Sequence, residues 1–293
     1  MGWLRVRVLV TGASGFIGRH LTILLSGLGH EVVAHFHERP PQLPPGLDCE
    51  LFKASLEELE ALPDSIEAIV HTAARSPVKG YSDHDMIVSN VIGMDRLLRC
   101  AERVSVRSVV FLSSVSVFGE IKVDVVSEAV PPISPDVYGT SKYLGERMLS
   151  SVAAKIPSVS LRLPGVLGRG AILHWLARTV ETLQADMPLT IANPDAAFNN
   201  AVHVQDLTNL VNRMITSDLA ESSVVTLGAA GLLTIGDVAR VLKEALKSRS
   251  TIEVAATKRR AFTIDSSSAI SRFGYEPMNI GAMLRLYAEE ASS

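Results

Sequence analysis

Residues 5–18 read RVRVLVTGASGFIG. The run Arg5–Val10 has the character of a strand. Phe16–Leu28 carries Ile17, Leu21, Leu24, Leu25 and Leu28 at helical spacing, and Gly29 ends it. Between the two lie Gly12, Gly15 and Gly18, spaced G-x-x-G-x-x-G. Glycine lets the backbone turn tightly and approach a diphosphate with no Cβ in the way. The helix that follows offers unpaired N–H groups and a partial positive charge to an anion. Strand, glycine turn and amphipathic helix in this order are the context in which such a turn cradles a dinucleotide. The expected cofactor residues of the turn are Gly12, Ser14, Gly15, Phe16, Ile17 and Gly18; a glycine-rich turn with no ligand is the alternative.

Outward from this stretch, short apolar runs alternate with periodic ones. Glu31–Phe36 reads as a strand, Leu56–Leu62 as a helix and Ala68–His71 as the end of a buried strand. Asp85–Arg103 is a long helix, Ser108–Leu112 a strand, Val137–Ala154 a helix and Val159–Leu163 a strand. Such alternation implies crossover units and a parallel sheet covered on both faces, an α/β fold of the doubly wound Rossmann type. After Pro164 the pattern loosens. Helices are expected at Ile172–Gln184, Asp206–Thr216 and Ile235–Leu246, and strands at Leu189–Ala192 and Ile252–Ala255, with two short helices closing the chain. A strand at Val224–Leu227 is expected to rejoin the main sheet. Residues 1–165 are thus read as a dinucleotide-binding domain, and 166–293 as mainly a small, interleaved substrate lobe.

The composition agrees with this reading. The chain has 293 residues, 47% hydrophobic and 20% charged, which excludes a disordered chain. A net charge of −3 without long like-charge runs argues against sequence-independent nucleic-acid binding. Cys49 and Cys100 form neither a disulfide framework nor a zinc motif, and point to a reducing, cytoplasmic setting. Arg5 and Arg7 interrupt the first apolar stretch, unlike a signal peptide, and no apolar run is long enough to span a membrane.

An acidic residue at the end of the second strand would hold both ribose hydroxyls of NAD. Here that position falls near Phe36, in AHFHERP, with His37 beside it and Arg39 close by. Without a carboxylate, a 2′-phosphate meets no repulsion, and Arg39 can pair with it bidentately. NADP is therefore favoured over NAD; the alternative has Arg39 solvated and Glu38 reaching the ribose. His35 and His37 alternate on one face, but no third ligand is in sight and no metal is expected.

Tyr138 and Lys142, in YGTSK, lie one turn apart on a predicted helix. A phenol is a poor base at neutral pH. A neighbouring ammonium and a cationic nicotinamide ring are expected to lower its pKa, so that Tyr138 exchanges a proton with a carbinol or carbonyl oxygen. FLSSVSVFG follows the strand Ser108–Leu112, at the sheet edge where open α/β folds bind ligands.

TGASGFIG, HTAA (71–74), FLSSVSVFG and YGTSK, in this order, resemble the extended short-chain dehydrogenase/reductase superfamily in its NAD-dependent epimerase/dehydratase branch. The likeness runs over nearly the whole chain and is strongest from residue 5 to 170. It implies a catalytic Ser114, Tyr138 and Lys142, with Ser113 and Ser116 as rivals to Ser114, and with Lys142 also holding the nicotinamide ribose. It implies cofactor contacts at Thr72, Ala73 and Ala74 and at Pro164, and at Asn90, which stands where the family has an asparagine that organises the central helix. Many relatives have an aspartate on adenine where this chain has Ala54-Ser55-Leu56; Ser55 and Leu56 are the residues left for that contact. No Asp-Glu pair follows Ser114, so dehydration is disfavoured. Gly165 stands where nucleotide-sugar relatives have an asparagine, and in FNNAVHVQDL Asn199, Asn200 and His203 are substrate candidates. The substrate set is Ser114, Tyr138, Gly165 and Asn200; His174 and Trp175 are further pocket candidates. The implied activity is hydride transfer at a keto or hydroxyl carbon, on a nucleotide-linked sugar, with a 4-keto reductase ahead of a 4-epimerase. The rivals are a reductase of small non-sugar carbonyls and a non-catalytic NAD(P)-binding sensor or scaffold. Family members often dimerise through a four-helix bundle, here Asp85–Arg103 and Val137–Ala154.

Overall fold

The apolar run before the first glycine becomes a strand whose Val8, Leu9 and Val10 are fully buried, as expected for a strand covered on both faces. A computed structural model describes residues 5–77, 80–171, 175–257 and 260–292. In chain order come β1 (Arg7–Thr11), α1 (Phe16–Gly27), β2 (Glu31–Phe36), β3 (Glu50–Lys53) and β4 (Ala68–His71). α2 (Asp83–Ile87), a π turn (Val88–Ile92) and α3 (Gly93–Arg103) run on without a break. Then follow β5 (Ser108–Ser114), a 3₁₀ turn (Val115–Phe118), β6 (Val125–Val126), α4 (Val137–Ser151), β7 (Ser158–Leu163) and β8 (Gly165–Leu167). Next come α5 (Trp175–Gln184), β9 (Leu189–Ala192), β10 (Ala197–Phe198), β11 (Ala201–His203), α6 (Val204–Thr216) and β12 (Ser223–Thr226). β13 (Leu233–Thr234), α7 (Ile235–Ala245), β14 (Ile252–Ala255), β15 (Thr263–Ile264), α8 (Ser267–Phe273) and α9 (Ile280–Ala291) complete it.

One sheet has seven strands in the order β12-β7-β5-β4-β1-β2-β3. β1 pairs parallel with β2 and β4, β2 with β3, and β4 with β5. This is the doubly wound Rossmann-type sheet. Its order reverses at β1 and β4, so the carboxyl ends of these two strands form the switch point where such sheets bind ligands. On one face, Met94, Leu97, Leu98 and Ala101 of α3 pack with Leu9, Ile69 and Val109 of the strands.

The chain folds as two compact units, each assembled from separate segments. The first takes the residues up to Glu120, Pro131–Arg162 and Thr208–Val225; the second takes Ile121–Val130, Leu163–Leu207 and Thr226 onward. The sequence reading placed one boundary at 165 and missed the exchange of 121–130. In the second unit α5, α7 and α9 bury Val180, Leu242 and Leu284 in a core of their own. β8 and β11 pair parallel there, with Gly165 opposite Ala201.

Two local readings change. Leu56–Leu62 is a turn, not a helix: Leu56, Leu59 and Leu62 all reach the core, but the only local bonds are single-turn ones, Glu58 N–H to Ser55 O and Leu59 N–H to Leu56 O. β3 was missed because its ELFK is largely exposed at the sheet edge and lacks a buried run. Of the helix expected at 172–184, the start and His174 lie outside the described residues.

Candidate nucleotide and proton-transfer site

The three glycines of the turn do different work. Gly12 has φ +70°, and a Cβ on it would stand 2.8 Å from the Ala73 Cα, so the fold itself requires glycine. A Cβ on Gly18 would run into the Gly12 carbonyl and come within 2.8 Å of the Thr72 hydroxyl, so Gly18 lets α1 close onto the turn. Gly15 is different. Its φ is an ordinary −78°, and an added Cβ would meet only the Gly12 carbonyl oxygen, at 3.2 Å. Gly15 is also the N-cap of α1, with no side chain to cap it and no acid in the first turn. The protein packs almost nothing against this glycine, and the helix amides lack a capping side chain. A nicotinamide dinucleotide fits this cradle by its diphosphate.

The turn is held from two sides. The Gly12 N–H donates to His35 Nδ1 at 3.3 Å, the Ala13 N–H to the His35 carbonyl at 2.9 Å, and His35 Nε2 donates to the Ala54 carbonyl at 3.1 Å. Burial pushes the imidazole down to about 4, so it stays neutral and can accept and donate at once. Both ring nitrogens are taken, and among the described residues no group of three metal-ligating side chains exists. On the other side, the Thr11 hydroxyl accepts from the Thr72 and Ala73 amides, at 3.1 and 3.2 Å, and donates to His71 Nδ1 at 2.8 Å. Thr72 returns its hydroxyl to the Thr11 carbonyl at 2.6 Å. HTAA is thereby pinned against the end of β1. Ser14 donates to the Arg39 carbonyl, which draws the loop after β2 to the turn. Phe36 is buried at the end of β2; His37 and Arg39 are exposed.

The π turn gives Asn90 its place. The Gly93 N–H reaches back five residues to Val88 O, and Asn90 is buried. Its Oδ1 accepts from the Arg75 N–H at 2.8 Å; its Nδ2 donates to Arg75 O at 2.9 Å and to Ser141 Oγ at 3.0 Å. Asn90 was expected to contact cofactor, but its amide is engaged by the protein. It ties the loop after HTAA to α4, one residue from Lys142. Ser55 donates its hydroxyl to Glu57 at 2.8 Å, so only its lone pairs are left for an adenine. The Leu56 side chain is buried in the core, so any contact from it is through backbone.

The candidate proton-transfer residues meet at the end of β5. Gly139 lets α4 abut the 3₁₀ turn: a Cβ there would run into the Ser116 carbonyl. Gly145 does the same against β5, where a Cβ would stand 2.8 Å from the Phe111 ring. Asp136 caps α4, accepting from the Gly139 N–H at 2.7 Å. Tyr138 and Lys142 then face the strand end. Lys142 Nζ donates to the Leu112 carbonyl at 2.7 Å and stands 4.7 Å above the Phe111 ring and 5.9 Å from that of Tyr138. The three serines separate. Ser113 is buried and donates to Glu146 at 2.6 Å, away from Tyr138. Ser114 accepts from the Ser116 N–H and donates to its hydroxyl, both at 3.1 Å. Ser114 is also the group whose hydrogen bonding favours the Tyr138 phenolate.

The charges run against the sequence reading. Burial pushes the Tyr138 phenol up to about 12, Asp136 adds to this, and Ser114 opposes it. Burial lowers the Lys142 ammonium to about 7, with Glu146 opposing. The chain's own groups therefore favour a protonated phenol, because desolvation of the phenolate outweighs its neighbours.

In the second unit, Gly165 of β8 lies beside the start of β11, next to Asn200. Asn199 is consumed: it bonds Ile264 through both amide groups, at 2.8 Å each. His203 is buried and contacts Glu290 at 3.3 Å. Asn200 donates to the Phe262 carbonyl at 2.9 Å, while its Oδ1 is buried with no partner. Trp175 stands edge-on to Phe198, ring centroids 5.4 Å apart. Pro164 precedes β8 in this unit.

Residues 8–228 match the NAD dependent epimerase/dehydratase family. This chain belongs to that family. Among its epimerase/dehydratase relatives, it is 27% identical over 269 residues to a protein named as an uncharacterised UDP-glucose epimerase, YtcB, of Bacillus subtilis (strain 168), covering 84% of each chain. It is 29% identical over 252 residues to the dTDP-6-deoxy-L-talose 4-dehydrogenase (NAD(P)(+)) of Kitasatospora kifunensis, covering 81% of this chain and 78% of that one. The solved structure of MoeE5 in complex with UDP-glucose and NAD superposes with a TM-score of 0.82 at 25% identity, over 97% of this chain and 98% of that one. Among the described residues no helix is long and apolar enough to cross a membrane.

Thr11, Ser141 and Glu146 escaped the sequence reading, and His35 was weighed there only as a metal ligand, not as the brace of the glycine turn. Each is a buried polar residue that fixes a site residue without belonging to its motif. The only signal in the sequence was a polar residue inside an apolar run or on the buried face of a helix.

Proposed function

We propose that this epimerase/dehydratase-family chain is an NAD(P)-dependent enzyme acting at a keto or hydroxyl carbon of a nucleotide-linked sugar, with Ser114, Tyr138 and Lys142 as its catalytic residues. The observation that carries this reading is the meeting of Tyr138, Lys142 and Ser114 at the end of β5, beside the switch point that bears the Gly15 cradle. When bound, the nicotinamide supplies or accepts the hydride. Tyr138 gives its proton to the carbonyl oxygen in reduction and takes it back in oxidation. Ser114 donates a hydrogen bond to the same oxygen. Lys142 holds the ribose and keeps positive charge beside the phenol. Gly12, Gly15 and Gly18, with Phe16 and Ile17 at the start of α1, hold the diphosphate. UDP- and dTDP-sugars are the substrates favoured by the relatives' names. Purified protein incubated with a panel of such sugars and with both cofactors, oxidised and reduced, tests this by product mass for reduction or oxidation and by proton NMR for epimers, which share one mass: a hydrogenated, oxidised or epimerised sugar supports it, and an unchanged panel counts against it. A 4-keto reductase is preferred to a 4-epimerase because NADP suits net reduction. A small-carbonyl reductase is the second reading, favoured by Gly165 in place of asparagine and by the consumed Asn199. Two free thiols favour a reducing cytoplasm.

NADPH is expected to bind at least tenfold more tightly than NADH, because Phe36 replaces the ribose-binding acid and Arg39 is exposed on a loop bonded to the glycine turn. A charge-assisted pair with the 2′-phosphate accounts for about 1.5–3 kcal/mol. Calorimetry on both nucleotides, with Arg39→Ala alongside, checks it. Equal affinities that Arg39→Ala leaves unchanged would remove the argument.

A homodimer through α2, α3 and α4 is the expected assembly, since Ile87, Ile92 and Leu144 are exposed apolar residues on these helices and the turn joining them. Light scattering should report twice the chain mass, falling to one chain mass in Ile92→Glu. A monomeric parent protein would contradict it.

A further inference from the structure

Behind Lys142 lies a buried ion pair that the proton relay does not use directly. Arg162 Nε and one terminal nitrogen donate to the two Glu146 oxygens at 3.0 and 2.7 Å, and both side chains are at most 5% exposed. Ser113 adds a third bond to Glu146, at 2.6 Å. Arg162 also stacks 4.8 Å over the Phe118 ring. Tyr138, Lys142 and Glu146 stand at successive steps of four on α4, one row along one helix face. We propose that Glu146, locked by Arg162 and Ser113 one turn beyond Lys142, is a positioning residue that keeps the Lys142 side chain charged and held against the end of β5, in service of the proton relay proposed above.

The physical case rests on desolvation. Lys142 is 3% exposed, and an ammonium taken from water tends to lose its proton. The groups facing it are the Leu112 carbonyl, the Phe111 and Tyr138 rings, and His71 of β4. His71 is kept neutral by burial and accepts from Thr11, so it supplies no negative charge. Glu146 is the carboxylate acting on Lys142, and burial leaves the ammonium near neutrality even with that help. A mobile Glu146 would be useless here. Arg162 holds the carboxylate in place with two N–H donors in a fork geometry. Ser113, next in the chain to Ser114, fixes the same carboxylate to β5. The pair therefore ties the charge state of Lys142 to the strand end that carries the catalytic serine.

The test follows Lys142 directly by NMR of protein labelled with carbon-13 at the lysine ε-carbon, its signal assigned by loss in Lys142→Met. Removing Glu146 alone strands Arg162 as a buried unpaired charge, and Glu146→Gln is expected to unfold more easily. The deciding variant is therefore Glu146→Gln with Arg162→Met, which leaves no unpaired ion. In that variant the Lys142 midpoint should fall by about one pH unit or more relative to the parent, and Glu146→Asp should recover part of the loss. An unchanged midpoint in the folded double variant overturns the proposal and leaves the pair a structural one. The titration needs neither substrate nor cofactor. A shifted midpoint in a protein that converts no sugar would thus support this inference while refuting the functional reading.

Discussion

Tyr138→Phe should slow turnover by about 10²–10⁴-fold and leave nucleotide affinity near its original value. The substitution removes one hydroxyl and keeps the ring that lies 5.9 Å from the Lys142 ammonium, so α4 and Lys142 stay in place. What disappears is the proton. In the folded chain the phenol is pushed up to about 12, so it is protonated at neutral pH and poised to donate to a carbonyl undergoing reduction. The reductive rate should accordingly be highest below neutrality and fall in two stages, the first beginning near pH 7 and the second far on the alkaline side. Two groups contribute to that fall: the phenol as it ionises, and Lys142, whose midpoint is lowered to about 7 by burial. The oxidative rate needs the phenolate and should rise with pH. Ser114→Ala should also slow turnover, by less. Steady-state kinetics with both redox directions measure all of this. A Tyr138→Phe enzyme at the parental rate would place the chemistry elsewhere.

Gly15→Val should fold normally and lose dinucleotide affinity by about 10²–10³-fold, some 3–4 kcal/mol. The backbone at 15 is extended, with φ −78° and ψ 165°, where valine is at ease. The nearest protein atom to the new Cβ is the Gly12 carbonyl oxygen at 3.2 Å. The side chain instead occupies the space through which a diphosphate reaches the α1 amides. The neighbouring glycines provide the contrast. Gly12→Ala and Gly18→Ala meet backbone of the protein itself and should lower the melting temperature. Calorimetry for affinity and thermal denaturation for folding separate the two behaviours. Undiminished binding by Gly15→Val would make the turn structural only.

The sheet and its switch point were legible because β1, β4 and β5 are buried on both faces and read as unbroken apolar runs. The glycine turn and YGTSK were legible because their spacing is dictated by local geometry. β3, at the exposed edge, carries no such signature. The turn at Leu56 was misread because three leucines satisfy a helical period whether or not a helix joins them. The direction of the Tyr138 pKa was missed for a related reason. Spacing places Lys142 one turn away, but only the packed structure shows how far burial outweighs a neighbouring charge. Asn90, read as an organiser of the central helix, holds Arg75 and Ser141, but the π turn that places it is one that no sequence period announces.

The measurement that bears most directly on the central claim is single-turnover spectroscopy of the nicotinamide, with cofactor-loaded protein in excess over nucleotide sugar. The account predicts that at least one UDP- or dTDP-linked sugar, added in its hydroxyl or keto form, changes the redox state of the nicotinamide in the parent protein, and does so about 10²–10⁴-fold more slowly in Tyr138→Phe. A protein that binds both cofactor and sugar, yet whose nicotinamide keeps its redox state with every sugar tried, would contradict it.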